Sequence, residues 1–394
     1  MLLLLQVPQV PQLLLVPQLP QVPLLILMSL MLLVQQCSSW KLLKRLKKLQ
    51  GLKRLEAPKG KFPTTLTFLT TLTLAPTPLT QFNLSNLWRQ NLILASFLLL
   101  TMNKFYGTGV AIVTPFAADG QVDFEGLKKL INYLIDGGID YLVSLGTTGE
   151  SATLSKDEKK KVFEFTAEIV NKRVPLIAGI GGNNTYEIVE SVKNFAIDGY
   201  DAILSVSPYY NKPTQEGIYQ HYKAIAENAS LPIILYNVPG RTGSNITAET
   251  TVRLANDFKN IIAIKEASGN FDQFNQIMRD KPADFMLISG DDPVTLPMMA
   301  LGAVGVISVV GNALPRQFSN MVRLCAKGDY QAAQKAHYQF IEFTRLMFVD
   351  GNPGGVKTAL KYLGICEDYL RLPLVPVSAK TAEKIIEETK KITR

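Results

Sequence analysis

The chain has 394 residues, 47% of them hydrophobic, with 41 Lys and Arg against 33 Asp and Glu for a net charge of +8. Ten of those bases and only one of the acids (Glu56) lie in residues 1–101. Residues 102–394 therefore carry 31 bases against 32 acids, which argues against a broad phosphate-binding face and a nucleic-acid partner. Cys37, Cys325 and Cys366 form neither a metal knuckle nor a redox pair, and His221 and His337 offer too little imidazole for a zinc site, so no metal is expected. Neither histidine sits beside a nucleophile elbow, and the thiols read as reduced and structural in a cytoplasmic protein.

Residues 1–34 are almost all Leu, Val, Pro and Gln, in runs such as VPQVPQLLLVPQLPQVP that specify no core. The apolar stretch Leu24–Val34 is too short to span a bilayer and has no positive cluster before it. KLLKRLKKLQGLKRLE follows, a basic amphipathic stretch, then a Thr/Leu/Pro-rich segment to residue 101. An organelle-targeting extension, a membrane-associating arm and the translation of DNA upstream of the true start all fit this composition. The last is preferred, because composition changes abruptly at Met102, where MNKFYGTGVAIVTPF reads as a domain start, and both tryptophans, Trp40 and Trp88, lie upstream.

From Met102 onward, short β-branched apolar runs alternate with amphipathic helical stretches. The predicted strands are Val110–Thr114, Tyr141–Leu145, Leu176–Ile180, Ala202–Val206, Ile233–Tyr236, Ile261–Lys265, Phe285–Ser289 and Val306–Val309. Continuous apolar strands with helices between them indicate a parallel sheet buried on both faces. Eight such units in so short a span predict a closed (β/α)8 TIM barrel, placed over 102–325. A doubly wound sheet is the alternative, but no GxGxxG follows the first run. Residues 326–394 are predicted as a C-terminal helical region, with helices over Tyr330–Phe348, Gly354–Leu363 and Ala379–Ile392 after one at Arg316–Lys327.

Parallel barrels collect their chemistry at the C-terminal strand ends. Here those ends read Thr114-Pro115, Gly146-Thr147-Thr148-Gly149-Glu150, Gly181-Gly182-Asn183, Ser207-Pro208-Tyr209-Tyr210-Asn211, Tyr236-Asn237-Val238-Pro239-Gly240-Arg241, Lys265-Glu266-Ala267-Ser268 and Ser289-Gly290-Asp291-Asp292. Lys265 closes the aliphatic run IIAIK. An amine desolvated in such a place is held neutral more readily than one in water, and a neutral amine can add to a ketone to form an imine. The bland alternative is a lysine that reaches for water and pairs with an acid such as Glu266.

Tyr236 ends the neighbouring strand and can shuttle protons beside Lys265; the alternative is a buried phenol that merely finds a partner. Arg241 offers a planar fork for a carboxylate, where an isolated loop arginine is more often plain surface. The turn Gly146–Gly149 offers two hydroxyls and backbone N–H groups to a carboxylate, although Gly/Thr turns are also ordinary loop chemistry. Glu150 reads as a brace for that turn. Together these groups suit a 2-oxo acid, its carboxylate on the threonine turn and its ketone on Lys265. The imine is itself the electron sink, so no cofactor is expected.

GTTGES (Gly146–Ser151), SPYYNKPTQEG (Ser207–Gly217), YNVPGRTG (Tyr236–Gly243), IKEASGN (Ile264–Asn270) and SGDD (Ser289–Asp292) resemble the motifs of the dihydrodipicolinate synthase family, within the N-acetylneuraminate lyase superfamily of class I aldolases. The resemblance runs from about Asn103 to the C-terminus. It implies pyruvate bound as an imine on Lys265, whose enamine adds to L-aspartate 4-semialdehyde before the adduct cyclises. It implies a proton relay of Tyr236, Thr147 and Tyr210, with Tyr210 contributed across a dimer interface, and hence a homo-oligomer, commonly a tetramer. Thr148 would hold the pyruvate carboxylate and Arg241 that of the semialdehyde, and the backbones of Gly290 and Ile307 would line the site.

The arginine of VPGRT and a turn that does not begin Gly-Ser-Thr favour the synthases over the sialic-acid lyases. Another pyruvate aldolase, for 2-keto-3-deoxy sugar acids, 4-hydroxy-2-oxoglutarate or N-acetylneuraminate, is the second reading. A catalytically dead barrel serving as a binding module is the third, and it would normally lack the lysine or the tyrosine. Positions matching the family's lysine-inhibition site are Ser151, Ala152, Asn183, Glu187 and Tyr209. Lys156 and Lys159 stand where lysine-sensitive members often have histidines, so weak or absent feedback is expected.

Overall fold

The computed structural model describes residues 104–393; the predicted low-complexity extension, residues 1–101, lies outside them. Eight parallel strands close into a barrel in chain order, β8 pairing back onto β1. They are β1 (Gly107–Ala111), β2 (Tyr141–Ser144), β3 (Leu176–Gly179), β4 (Ala202–Val206), β5 (Ile233–Asn237), β6 (Ile261–Glu266), β7 (Met286–Ser289) and β8 (Gly305–Ser308). The barrel helices are α1 (Phe124–Asp136), α2 (Lys156–Val170), α3 (Thr185–Lys193), α4 (Gln215–Asn228), the short α5 (Pro239–Thr242), α6 (Ala248–Asp257), α7 (Phe271–Asp280), α8 (Thr295–Ala300) and α9 (Pro315–Ala326). Then come α10 (Tyr330–Leu346), α11 (Gly354–Tyr362) and α12 (Ala379–Thr393), which form the C-terminal helical region.

Two apolar clusters explain why the strands read as unbroken hydrophobic runs. One fills the lumen, with Ala111, Tyr141, Val143, Ile177, Ala202, Leu204, Ile234, Tyr236, Ala263, Ile288 and Ile307. The other lies between the strands and the helices, with Val110, Leu142, Ala178, Ile203, Leu235, Ile264, Leu287 and Val306 among its members. A strand alternates its side chains between faces, so a sheet buried on both needs apolar residues at nearly every position. Helix starts are marked by side-chain caps, Asp123 on α1, Thr214 on α4, Thr247 on α6 and Asn270 on α7, and by a Ser155/Glu158 capping box on α2.

Seven predicted strands match to within a residue or two, and the first is shifted. It runs Gly107–Ala111 rather than Val110–Thr114, because Gly107–Val110 is the stretch in register with Gly305–Ser308 of β8. A Cβ on Gly305 would stand 1.9 Å from the Gly107 carbonyl oxygen. The two strands therefore close the barrel through glycines that a search for β-branched runs passes over. No helix among the described residues is long and apolar enough to cross a membrane. Cys325 and Cys366 are free and buried.

Candidate active site

Strand β6 decides the site by alternation. Ala263 belongs to the lumen cluster and Ile264 to the outer one, so Lys265 falls in the lumen and Glu266 on the helix side. Lys265 is only 5% exposed at the C-terminal end of the barrel. Tyr236, on β5, is its register partner, and Lys265 Nζ lies 4.3 Å from the centre of the Tyr236 ring. Gly290, just past β7, leaves room for the lysine stem: a Cβ there would lie 3.1 Å from Lys265 Cε and 2.8 Å from Ala267 Cβ. Ile307 of β8 packs its side chain in the same lumen. Lys265 is not neutralised by Glu266, whose carboxylate is engaged by Asn237, Gln273 and the Ser268 N–H on the opposite face.

The carboxylates whose field Lys265 feels are Asp291 and Asp292, at the end of the next strand. Burial pushes the Asp291 carboxyl up to about 6, the Asp292 charge adds to this, and the Lys265 ammonium opposes it. Asp292 is fully buried; burial raises it, and the Ser308 hydroxyl and the Val309 and Val310 N–H groups hold it down. Those two N–H groups donate to its Oδ2 at 3.0 and 2.9 Å. The SGDD motif marks these residues, but their place beside the lysine was not read from it.

The threonine turn after β2 is a single 3-10 turn, Thr147–Gly149, and it is fixed from three directions. The Thr114 hydroxyl donates to the Gly149 carbonyl at 2.7 Å. The Asn352 amide donates to Thr148 Oγ1 at 3.0 Å, across 204 residues of chain. Glu150, in the left-handed region at φ 51, sends its carboxylate to Lys357 Nζ at 2.6 Å and accepts from the Arg371 N–H at 3.1 Å. Glu150 is thus the expected brace. Its partners, and Asn352, come from the C-terminal helical region, where no motif announced them. Thr148 is buried beneath the turn while Thr147 is exposed at the mouth.

Arg241 is exposed on α5, and Ser151 and Ala152 form the next 3-10 turn beside the threonine turn. Glu187 is exposed in the first turn of α3, and Asn183 donates to the Tyr209 carbonyl at 3.3 Å. Tyr210 is set apart from the rest: it adopts φ 75 and is 88% exposed. One protomer therefore brings Lys265 and Tyr236 into contact, places Thr147 and Thr148 after β2 and Arg241 after β5, and leaves Tyr210 facing solvent. Of the six described residues other than glycine at positive φ, Leu145, Glu150, Tyr210 and Lys212 follow β2 and β4, while Asn171 and Lys172 end α2.

A buried amine held against a phenol is equipped to form an imine with a small oxo acid. Known proteins carry the same arrangement of chain. Residues 104–392 match the profile described as the dihydrodipicolinate synthetase family. A 4-hydroxy-tetrahydrodipicolinate synthase of Parabacteroides distasonis is 56% identical over 287 residues, 73% of this chain and 97% of that protein. The crystal structure of dihydrodipicolinate synthase from Aquifex aeolicus superposes with a TM-score of 0.71 at 43% identity, covering 73% of this chain and 98% of that one. That of the chloride-inhibited enzyme from Acinetobacter baumannii, complexed with pyruvate, gives 0.71 at 42%, covering 73% and 99%. With the barrel and its helical tail matched from end to end, this chain belongs to the dihydrodipicolinate synthetase family.

Proposed function

We propose that this chain condenses pyruvate with L-aspartate 4-semialdehyde, the reaction of a 4-hydroxy-tetrahydrodipicolinate synthase, as a step toward diaminopimelate and lysine. The observation that carries the proposal is the buried Lys265 amine held in the lumen against Tyr236. The neutral amine adds to C2 of pyruvate. The carbinolamine loses its hydroxyl as water, with a proton delivered by the phenol of Tyr236, and the imine forms. Loss of a C3 proton gives the enamine, whose C3 attacks the aldehyde carbon. The amino group of the adduct then closes on C2 and expels Lys265, so the enzyme is regenerated without an outside oxidant or reductant.

In this scheme Thr148 and the backbone of its turn bind the pyruvate carboxylate, Arg241 binds that of the semialdehyde, and Thr147 relays protons between Tyr236 and Tyr210. The Gly290 and Ile307 backbones line the pyruvate end. Tyr210 belongs to the site of the partner protomer, and the working unit is at least a dimer. Free, buried Cys325 and Cys366 support a reducing, cytoplasmic setting.

The test is a coupled assay with both substrates, in which dihydrodipicolinate reductase oxidises NADPH, run on the wild type and on Lys265→Ala. NADPH oxidation that disappears with Lys265 is the expected result. A pyruvate adduct trapped on Lys265 by borohydride without turnover points to another pyruvate aldolase. Absence of both overturns the imine chemistry.

A further inference from the structure

On the helix side of β5 and β6 lies a buried carboxylate that the imine chemistry does not use. Glu266 is fully buried, one residue past Lys265 and on the opposite face. Three donors converge on it: Asn237 Nδ2 at 3.0 Å, Gln273 Nε2 at 2.7 Å and the Ser268 N–H at 2.8 Å. Asn237 cannot turn its amide over, because its Oδ1 accepts from the Ile246 N–H at 2.9 Å. Its Nδ2 also donates to Asn245 Oδ1 at 2.8 Å, and Asn245 Nδ2 donates to Gln273 Oε1 at 2.8 Å. Gln215 holds the same segment from α4, donating to the Asn245 carbonyl at 2.7 Å and accepting from the Thr247 N–H at 3.1 Å. Both ends of the segment Val238–Ile246 are therefore tied to one knot, and that segment carries Arg241.

We propose that Glu266 is a positioning residue for the aldehyde acceptor: through Asn237 it fixes the loop that aims Arg241 at the acceptor's carboxylate. The inference rests on the role given to Arg241 under the proposed function. The chemistry asks for a carboxylate at this position. Three N–H groups point at one side chain, and an ionised carboxyl accepts all of them, while an amide of the same shape turns its own N–H2 against at least one. Burial raises the Glu266 carboxyl and the donors from Asn237, Gln273 and Ser268 oppose that. A buried charge is a poor route to stability when an apolar side chain of like size is available, so its use here is geometric. The acceptor it selects has a carboxylate at a set distance from its aldehyde.

The full chain carrying Glu266→Gln is assayed with pyruvate and L-aspartate 4-semialdehyde. The KM for the semialdehyde is expected to rise about tenfold, within the range that misplacement of a substrate contact produces. The KM for pyruvate and the yield of borohydride-trapped pyruvate stay at the wild-type level. Arg241→Ala is then combined with Glu266→Gln; if Glu266 acts through Arg241, the double variant is no worse than Arg241→Ala alone. Losses that add, or an equal loss of pyruvate trapping and acceptor affinity, overturn the proposal. Should Glu266→Gln fail to fold, Asn245→Ala, at the loop side of the knot, must show the same acceptor-only change. A wild type that does not turn over this substrate pair overturns the proposed function itself. An unchanged acceptor KM in Glu266→Gln overturns only the positioning role.

Discussion

Asp291 sits at the end of β7 with its carboxyl raised to about 6, chiefly by burial. An unfolded aspartate titrates near 3.9. The fold therefore favours the protonated form, and this contribution to stability is full below about pH 4 and is lost as pH rises through about 6. Allowing for partial screening, the loss is on the order of 1–2 kcal/mol at neutral pH. Asp291→Asn, which cannot ionise, is expected to melt a few degrees above the wild type at pH 7.5 and level with it near pH 4. A melting difference that does not change between those pH values counts against the assignment. Lys265 and Tyr236 were legible in the sequence because each ends an apolar run, and a parallel barrel sends such ends to one mouth. The raised carboxyl of Asp291 and the bond from Asn352 were not. A raised carboxyl depends on what buries it, and a hydrogen bond spanning 204 residues leaves no local pattern.

The turn Thr147–Glu150 is an element whose geometry is set from outside. Lys357 and Glu150 are both without exposed side-chain surface, and burial pulls the Lys357 ammonium down while Glu150 holds it up. Removing one partner of such a pair strands a buried charge, at a cost of about 3–5 kcal/mol. Glu150→Ala is therefore expected to lower the urea midpoint sharply and to raise the KM for pyruvate, since the turn loses its brace. Glu150→Ala combined with Lys357→Met should recover much of the stability, and no recovery would show that the pair is not what holds the turn. Helix α2 carries a second consequence. Lys159 is half-buried, and burial and the Lys156 ammonium hold it below its usual range. On the resemblance to the family's lysine-inhibition site at Ser151, Ala152, Asn183, Glu187 and Tyr209, we propose that these cations weaken the binding of a lysine ammonium there. The enzyme is expected to keep more than half its activity at sub-millimolar L-lysine, and half-inhibition there would refute this. At this scale the eight strands were readable from their apolar runs. Only β1 slipped, since its pairing is made through Gly107 and Gly305 rather than through bulky side chains.

At the scale of the whole molecule the proposed function draws its site from more than one protomer. The proposed proton relay calls for a phenol from Tyr210, and that side chain is 88% exposed with its backbone held at φ 75. Tyr186 and Tyr209 are also exposed, at 74% and 39%, so exposed aromatic side chains follow both β3 and β4, Tyr186 in the first turn of α3 and Tyr209 and Tyr210 in the loop after β4. Aromatic rings are enriched in the cores of protein interfaces, and a two-fold contact reuses one patch on both chains. The expected assembly places Tyr210 of each chain in the site of its partner. Tyr210→Phe and Lys265→Ala chains, each nearly inactive alone, are unfolded together, refolded and compared with the same chains refolded separately. A mixed dimer then holds one site with both an intact Lys265 and an intact tyrosine from the partner, so activity should return to roughly a quarter of the wild-type level: about half of randomly paired dimers are mixed, each with one working site of two. If Tyr210 served its own chain, every site in the mixture would lack one group and no activity would return.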